Sequence, residues 1–253
     1  MSLPDYKPSD SLIMACHITG VFDVNRNATL AHDDYSLIQS WAVSVAAAKI
    51  KGVLFHNNLS QETCETYTNE FISFVGIHHN TAFNPNVFRY FVYLDYLKNQ
   101  HTPLSAVFVT DVSDVVLISN PFEDVRFINQ PDAIFCGDEA KVLDNEWMRD
   151  HATHLREQIA DYAAYENRFG QDTLLNCGII GGHFSSFFGF LEKLCELHER
   201  YNSNNKTAYT GDMGAFNYLA RTQYTDRLIS GPPVNTVFKL YETERTDCWF
   251  RHK

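Results

Sequence analysis

The chain lacks the sequence signatures of several large enzyme classes. No GxGxxG follows its first apolar segment and no GxxxxGK[ST] occurs in its 253 residues, so neither a dinucleotide-binding Rossmann enzyme nor a P-loop nucleotidase is indicated. The motifs HExxH, GxSxG and paired CxxC are absent as well, which argues against zinc proteases, α/β-hydrolases and paired-cysteine zinc sites. The chemistry of this chain must therefore come from another arrangement of residues.

Positive charge is in short supply. The chain has 20 Lys and Arg residues against 31 Asp and Glu residues, which gives a formal net charge of −11. Nucleic-acid binding needs a basic footprint, so we expect no nucleic-acid partner. An acidic chain that holds an anion needs either locally focused cations or a bound metal ion.

The sequence also lacks long apolar runs and any regular cysteine pattern. No run approaches the roughly 18 apolar residues of a transmembrane helix, and no basic segment followed by an apolar one marks a signal peptide. Six scattered cysteines indicate reduced thiols in a reducing compartment, and a catalytic cysteine is the less favoured alternative. We expect a cytoplasmic protein or a trimmed domain, and peripheral contact with a membrane stays open.

Strand-like and helix-like segments alternate along the chain. Strands are predicted at 12–17, 52–56, 71–75, 106–109, 132–136 and 177–180. Helices are predicted from a cap at 33–34 to 49, and at 61–67, 85–98, 147–167, 184–201 and 212–221. This order is typical of an α/β fold whose mostly parallel sheet is flanked by helices. Because no linker or repeat interrupts the pattern, we expect a single domain over residues 1–253.

Two carboxylates follow the apolar segment 106–109. Asp111 and Asp114 are three residues apart, at the carboxyl end of a predicted buried strand, where open α/β sheets hold their ligands. Two such carboxylates can converge on one hard divalent cation such as Mn²⁺ or Mg²⁺. On this segment alone, a turn capped by its own Asp and Ser side chains explains the residues equally well.

Two later segments combine small and polar residues. In Asn176-Cys177-Gly178, an asparagine and a glycine follow an apolar stretch, and the glycine allows a ligand to approach the backbone closely. Asp212 begins a predicted helix directly after Gly211. By itself, Asp212 is well explained as a helix cap.

Taken in this order, these segments resemble a known pattern, that of nucleotide-sugar glycosyltransferases of the GT-A fold. The run from Asp111 to Asp114 and the following Asn120-Pro121-Phe122 are similar to the family's aspartate motif and the (D/N)PF that often follows it. Asn176-Cys177-Gly178 is similar to its N-(S/A/C)-G strand, and the start of the helix at Asp212 resembles its DQ motif. The chain departs from the pattern in two places: DxxD replaces DxD, and Met213 replaces the usual Gln.

The resemblance implies a set of site residues. The metal ion, Mn²⁺ or Mg²⁺, would be held by Asp111, Asp114 and His252, with a UDP-linked sugar as donor. Asn176 and Asp212 would be the catalytic residues on the donor-sugar side of the cleft. The contacts with the nucleotide and diphosphate would come from His17, Thr19, Arg26, Arg89, Gly178, Arg251 and Lys253.

For Arg89 and for the C-terminal residues, the surrounding sequence also bears on the assignment. Arg89 lies on a predicted amphipathic helix, where an exposed surface arginine is the more common explanation. At the C-terminus, Trp249 and Phe250 are predicted to anchor the tail in the core, while Arg251, His252 and Lys253 point at the diphosphate.

The function that follows is metal-dependent transfer of a sugar from a nucleotide-diphosphate donor to a carbohydrate or glycoconjugate acceptor. Two alternatives stay open. A sugar nucleotidyltransferase would need a glycine-rich basic first loop, and residues 16–27 supply only Gly20 and Arg26. A non-catalytic domain that binds nucleotides or sugars is the other alternative.

Overall fold

A computed structural model describes residues 6–23, 27–201 and 211–253. Its sheets contain eleven strands within these ranges: β1 (Ser11–His17), β2 (Phe22–Asp23), β3 (Ala28–Thr29), β4 (Lys51–His56), β5 (Ile72–Gly76), β6 (Ala106–Thr110), β7 (Val115–Leu117), β8 (Ile134–Val142), β9 (Thr173–His183), β10 (Leu228–Ser230) and β11 (Phe250–His252).

The α-helices of the same ranges number nine. They are α1 (Ser36–Ala47), α2 (Gln61–Tyr67), α3 (Pro85–Lys98), α4 (Val125–Ile128), α5 (Glu146–His151), α6 (Thr153–Gln158), α7 (Tyr162–Phe169), α8 (Phe184–Tyr201) and α9 (Asp212–Gln223). Helix α3 begins as predicted, because Asn84 accepts a hydrogen bond from the Asn86 N–H and Pro85 occupies the first turn.

The central sheet has seven strands in the order β10-β8-β9-β6-β1-β4-β5. Strands β6, β1, β4 and β5 pair in parallel, as do β10 and β8, whereas β9 is antiparallel to both of its neighbours. The predicted mixed, mostly parallel sheet flanked by helices is confirmed. The carboxyl ends of β1, β6 and β8 lie at one edge of this sheet, together with the first half of β9.

Hydrophobic side chains fill both faces of the sheet. Along β1, Leu12 and Met14 face one core, while Ile13 and Ala15 face the other, as the period-two geometry of a strand requires. Helices α3, α8 and α9 cover the first face, and α1 with the C-terminal aromatic residues covers the second. Burial on both faces explains why the strands read as nearly continuous apolar runs.

The predicted helix 147–167 is wrong, because the segment forms three short helices. Ala152 separates α5 from α6, and Ile159, in extended conformation, ends α6 before α7 begins. Ala152, Leu155 and Ile159 are all buried, so tertiary packing against the core sets these breaks although no proline or glycine marks them.

Other boundaries also differ from the predictions. The strand expected at 177–180 extends over eleven residues, and Gly181 and Gly182 lie inside β9 rather than after it. The expected cap of α1 is only half right: the first helical residue is Ser36, whose N–H donates to the Asp34 carboxylate at 2.9 Å, whereas the Asp33 carboxylate accepts a hydrogen bond from the Ser60 N–H.

Candidate metal and donor site

Strand β6 carries Asp111 to the carboxyl edge of the sheet. The Asp111 N–H donates to the Gly178 carbonyl at 2.7 Å, which continues the pairing between β6 and β9 by one residue. Just before Asp111, the Thr110 hydroxyl accepts a hydrogen bond from the Trp41 indole at 2.8 Å. Asp111 therefore directly follows a strand whose end is held by hydrogen bonds, and it lies at the carboxyl end of β6, as the sequence predicts.

The C-terminal strand brings His252 to the same place. Strand β11 pairs antiparallel with β7, so that His252 lies opposite Val115. One residue further on, the Lys253 N–H donates to the Asp114 carbonyl at 2.8 Å. Residues more than 130 positions apart in sequence are therefore joined by a two-stranded ladder.

Asp111, Asp114 and His252 form a three-residue group suited to a metal ion. Each offers one ligand atom, and these atoms all lie within 4.8 Å of one another. Two ligands on opposite sides of a small divalent cation are about 4.2 Å apart, so the group needs only a small side-chain adjustment to bind one. Two carboxylates and one imidazole are a donor set that suits Mn²⁺.

The surroundings of His252 favour its metal-binding form. The side chain is buried beside the Phe238 ring, whose centroid lies 4.4 Å from that of the imidazole. Burial lowers the pKa of His252 below its usual value, although the Asp111 and Glu139 carboxylates oppose this shift. Its Nδ1 has no hydrogen-bond partner among the described residues. A neutral imidazole of this kind can donate a lone pair to a metal ion.

Gly178 forms the floor of this group. A Cβ atom at this position would lie 2.6 Å from His252 Cε1, 2.7 Å from Asp111 Oδ2 and 2.9 Å from Asn176 Oδ1. No other residue type fits without displacing these atoms. The predicted close approach at Gly178 is thus made by the site's own side chains.

Arg89 is a buried part of the site, so the surface explanation is wrong. Its guanidinium is paired with Asp111 Oδ1, and it also donates to the Cys177 carbonyl at 3.3 Å and to the Tyr90 hydroxyl at 3.2 Å. Asp212 Oδ2 lies 3.9 Å from the same guanidinium. Arg89 therefore lies between a metal-site carboxylate and the start of α9.

Asn176 is held in place by both ends of its amide. Its Oδ1 accepts from the Gly178 N–H at 2.7 Å, and its Nδ2 donates to Glu139 Oε1 at 2.9 Å. Glu139 is itself buried and lies 3.6 Å from Lys141 Nζ. The sequence analysis missed Glu139, although the acidic pair that follows the apolar strand predicted at 132–136 offered the same signal that identified Asp111.

Asp212 is the first residue of α9 and is buried. The preceding Gly211 adopts a left-handed conformation with φ of 66°, which turns the chain sharply into the helix. The Cys177 thiol donates to Asp212 Oδ2 at 3.5 Å. The structure thus places Asp212 beside Cys177 and near Arg89.

The remaining predicted contacts have different outcomes. His17 ends β1, and Thr19 is fixed by Asn57, whose Oδ1 accepts from the Thr19 N–H at 2.9 Å. Arg26 lies outside the described residues. The predicted orientation of Arg251 toward the diphosphate is wrong: its guanidinium donates to the carbonyl groups of Glu242 and Thr243, because alternate residues of β11 face opposite sides.

The solved structures that are similar to this chain include galactosyltransferase LgtC in complex with donor and acceptor sugar analogues, and the similarity extends over nearly the whole chain. The TM-score is 0.52 at 11% sequence identity, and the match covers 96% of this chain and 86% of that one. The chain has the GT-A fold. No protein-family model matches this GT-A chain, and no curated protein matches it in sequence.

No helix of the described ranges combines the length and the apolar character needed to cross a bilayer.

Proposed function

We propose that this GT-A chain is a metal-dependent glycosyltransferase that moves a sugar from a UDP-linked donor to a carbohydrate or glycoconjugate acceptor. The observation that carries the proposal is the group of Asp111, Asp114 and His252 at the carboxyl edge of the sheet. In open α/β sheets this edge is where ligands bind. LgtC, which has a similar fold, was solved with donor and acceptor sugar analogues.

In this proposal, Asp111, Asp114 and His252 hold Mn²⁺ or Mg²⁺. Bound there, the ion would neutralise negative charge on the departing diphosphate as a Lewis acid. The DxxD spacing is compatible with this role because β7 and β11, rather than Asp111 itself, position Asp114 beside His252. Arg89 pairs with Oδ1 of Asp111, which orients the carboxylate and leaves Oδ2 on the side of Gly178.

The donor sugar would lie between Asn176 and Asp212. Asp212 is buried 3.9 Å from the Arg89 guanidinium, so the pair offers both a hydrogen-bond acceptor and a donor to sugar hydroxyls. Asn176 is held in one orientation by Glu139 and Gly178, and its amide would have one N–H left to donate to a ligand. Preorganised polar groups of this kind stabilise developing charge without reorganising during the reaction.

The nucleotide would lie on the other side of the metal site. His17 ends β1 and Thr19 follows it at the same sheet edge, and Lys253 is held beside Asp114 through its backbone, near the expected diphosphate. We propose that residues 1–253 act as one catalytic domain. The six free cysteines support a reducing compartment such as the cytoplasm.

Release of UDP from a panel of UDP-sugars tests this function. We expect slow hydrolysis of at least one donor with Mn²⁺ and none after the metal is removed with EDTA. A non-catalytic binding domain would bind UDP without releasing it from any donor. A nucleotidyltransferase would instead form pyrophosphate from a nucleoside triphosphate and a sugar phosphate. Either of these two results would overturn the proposal.

A further inference from the structure

Beside the metal site runs a loop that the glycosyltransferase proposal does not use. We name residues 236–242 the rim loop. Its first residue, Thr236, accepts a hydrogen bond from the His252 N–H through Oγ1 at 3.3 Å. Two residues later, the Phe238 ring packs against the His252 imidazole. The rim loop therefore borders the cleft on the side of the third metal-site residue.

The backbone of the rim loop is strained at two positions. Lys239 and Tyr241 have φ angles of 65° and 51°, in the left-handed region that bulky side chains rarely adopt. Strain of this kind persists only where the surroundings enforce it, and it gathers at functional sites.

Polar contacts fix both ends of the rim loop. Glu242 Oε2 accepts from the Val237 N–H at 2.7 Å and lies 3.1 Å from the Arg245 guanidinium. Arg251 donates to the Thr243 carbonyl at 2.6 Å. Since Arg251 belongs to β11, the strand that carries His252 also supports the base of the loop.

The tip of the rim loop presents two large hydrophobic side chains to solvent. Leu240 is 65% exposed and Tyr241 is 61% exposed. Among the described residues, these are two of the three most exposed large hydrophobic side chains, and they are adjacent in sequence. A pair of apolar side chains held outward on a strained, anchored loop suggests a binding surface rather than a solvated turn.

We propose that the rim loop binds the acceptor carbohydrate, with the Tyr241 ring packed against the apolar face of a sugar ring and Leu240 beside it. This inference rests on the proposed function and adds where the acceptor binds. A tyrosine offers a large, rigid, amphipathic contact area at low entropic cost. Charges next to the tip balance, since the rim loop carries both Lys239 and Glu242 and Asp247 is paired with Arg245. Together with the net charge of −11, this balance fits a neutral saccharide better than an anionic membrane.

Saturation-transfer NMR tests the proposal, with lactose, maltose and cellobiose as probes and with UDP and Mg²⁺ present, since Mn²⁺ is paramagnetic. We expect at least one disaccharide to bind the wild type. Tyr241→Ala should weaken that binding about threefold to tenfold, which is the range expected for one aromatic contact. Tyr241→Phe should restore it, and Leu240→Ser should show a smaller loss. Val43→Ala is the matched control because Val43 is also an exposed apolar side chain, 59% exposed in α1.

UDP affinity, measured for each variant, separates this inference from the proposed function. If the wild type binds UDP but no disaccharide, or if Tyr241→Ala binds the disaccharide as the wild type does, the rim-loop proposal is overturned and the glycosyltransferase proposal stands. If the wild type binds no UDP, both fall. The rim-loop proposal would also be overturned, in favour of a membrane surface, if the protein sedimented with phosphatidylcholine–phosphatidylglycerol vesicles and this binding depended on Leu240 and Tyr241.

Discussion

Gly178 shows how one missing side chain can shape a site. The space that its Cβ would occupy is taken by atoms of three other site residues, Asp111, Asn176 and His252. Since two of these belong to the candidate metal group, their convergence depends on the glycine. Glycine is required at position 178 because of this close approach of side chains, since the backbone of Gly178 is not in the left-handed conformation.

Replacing Gly178 with alanine should therefore disrupt the metal group. The new methyl would contact His252 and Asp111 at distances that real Cβ atoms essentially never show, so at least one ligand must move. We expect Mn²⁺-dependent UDP affinity to fall at least tenfold, measured by titration calorimetry. Gly189→Ala in α8 is the control, because nothing lies within 4 Å of its Cβ position and alanine favours a helix by about 1 kcal/mol. Equal UDP affinities in the two variants would contradict this account of Gly178.

His198 illustrates a buried side chain that opposes folding at acid pH. It is fully buried and stacked on Tyr90, and burial lowers its pKa to about 3, whereas an unfolded histidine titrates near 6.5. Between these two values the unfolded chain binds a proton that the folded chain does not. Stability contributed by the neutral imidazole is therefore complete above pH 6.5 and is lost progressively as the pH falls toward 3.

His198→Phe should flatten the dependence of stability on pH. The phenyl ring keeps the stacking partner of Tyr90 but takes up no proton, so the slope between pH 4.5 and 5.5 should fall by up to about 1.4 kcal/mol per pH unit. Urea unfolding of both proteins at pH 4.5, 5.5 and 7.5 measures this change. The other buried histidines and the carboxylates are present in both proteins, so their contributions to the slope cancel in the comparison. Identical slopes would show that His198 does not stay neutral in the folded state.

At the scale of elements, β11 combines two tasks in three residues. Phe250 is buried in the core next to Trp249, and His252 faces the metal site. The predicted anchoring of the tail by Trp249 and Phe250 is confirmed. Core packing and the placement of the metal ligand can therefore be tested separately, because Phe250 packs in the core and His252 faces the metal site.

Two truncations distinguish these tasks. A chain ending at Arg251 loses His252 and Lys253, and we expect it to fold but to lose metal-dependent UDP binding. A chain ending at Cys248 also loses Trp249 and Phe250, whose burial is worth about 3–5 kcal/mol each. That loss approaches the total stability of an ordinary domain, so we expect the shorter chain not to fold. Circular dichroism melting with and without Mn²⁺ and UDP measures both effects. A chain ending at Cys248 that melts like the wild type would contradict this division.

The elements that could be predicted from sequence were those with strong local signals. Helix α3 is marked by Asn84 and Pro85, and α8 was predicted with its observed bounds because its amphipathic pattern is continuous. The breaks between α5, α6 and α7 lack such signals, since contacts with the core decide them. The short strands β7 and β11 escaped prediction because each is stabilised mainly by the other, far away in sequence.

At the scale of the whole molecule, the order of strands lies beyond local pattern. The sequence indicates alternating strands and helices, but it does not reveal that β9 runs antiparallel between β8 and β6. That reversal brings Asn176 and Gly178 beside Asp111. Five of the site residues that the resemblance implies lie together here, namely Asp111, Asp114, Asn176, Gly178 and His252. The burial of Arg89 and the role of Glu139 depend on long-range packing that the sequence does not display.

The central claim is that Asp111, Asp114 and His252 bind a divalent cation that is needed to hold a nucleotide diphosphate. Titration calorimetry with UDP, with and without Mn²⁺, tests it most directly on the wild type and on Asp111→Asn, Asp114→Asn and His252→Gln. Asp226→Asn, a change at an exposed carboxylate outside the site, is the matched control. The account predicts that UDP binds the wild type and the control only with Mn²⁺. In each site variant, we expect the affinity for UDP to be at least tenfold lower and no longer to depend on Mn²⁺. Wild-type affinity for UDP in the Asp111 and Asp114 variants, with melting temperatures unchanged, would contradict it.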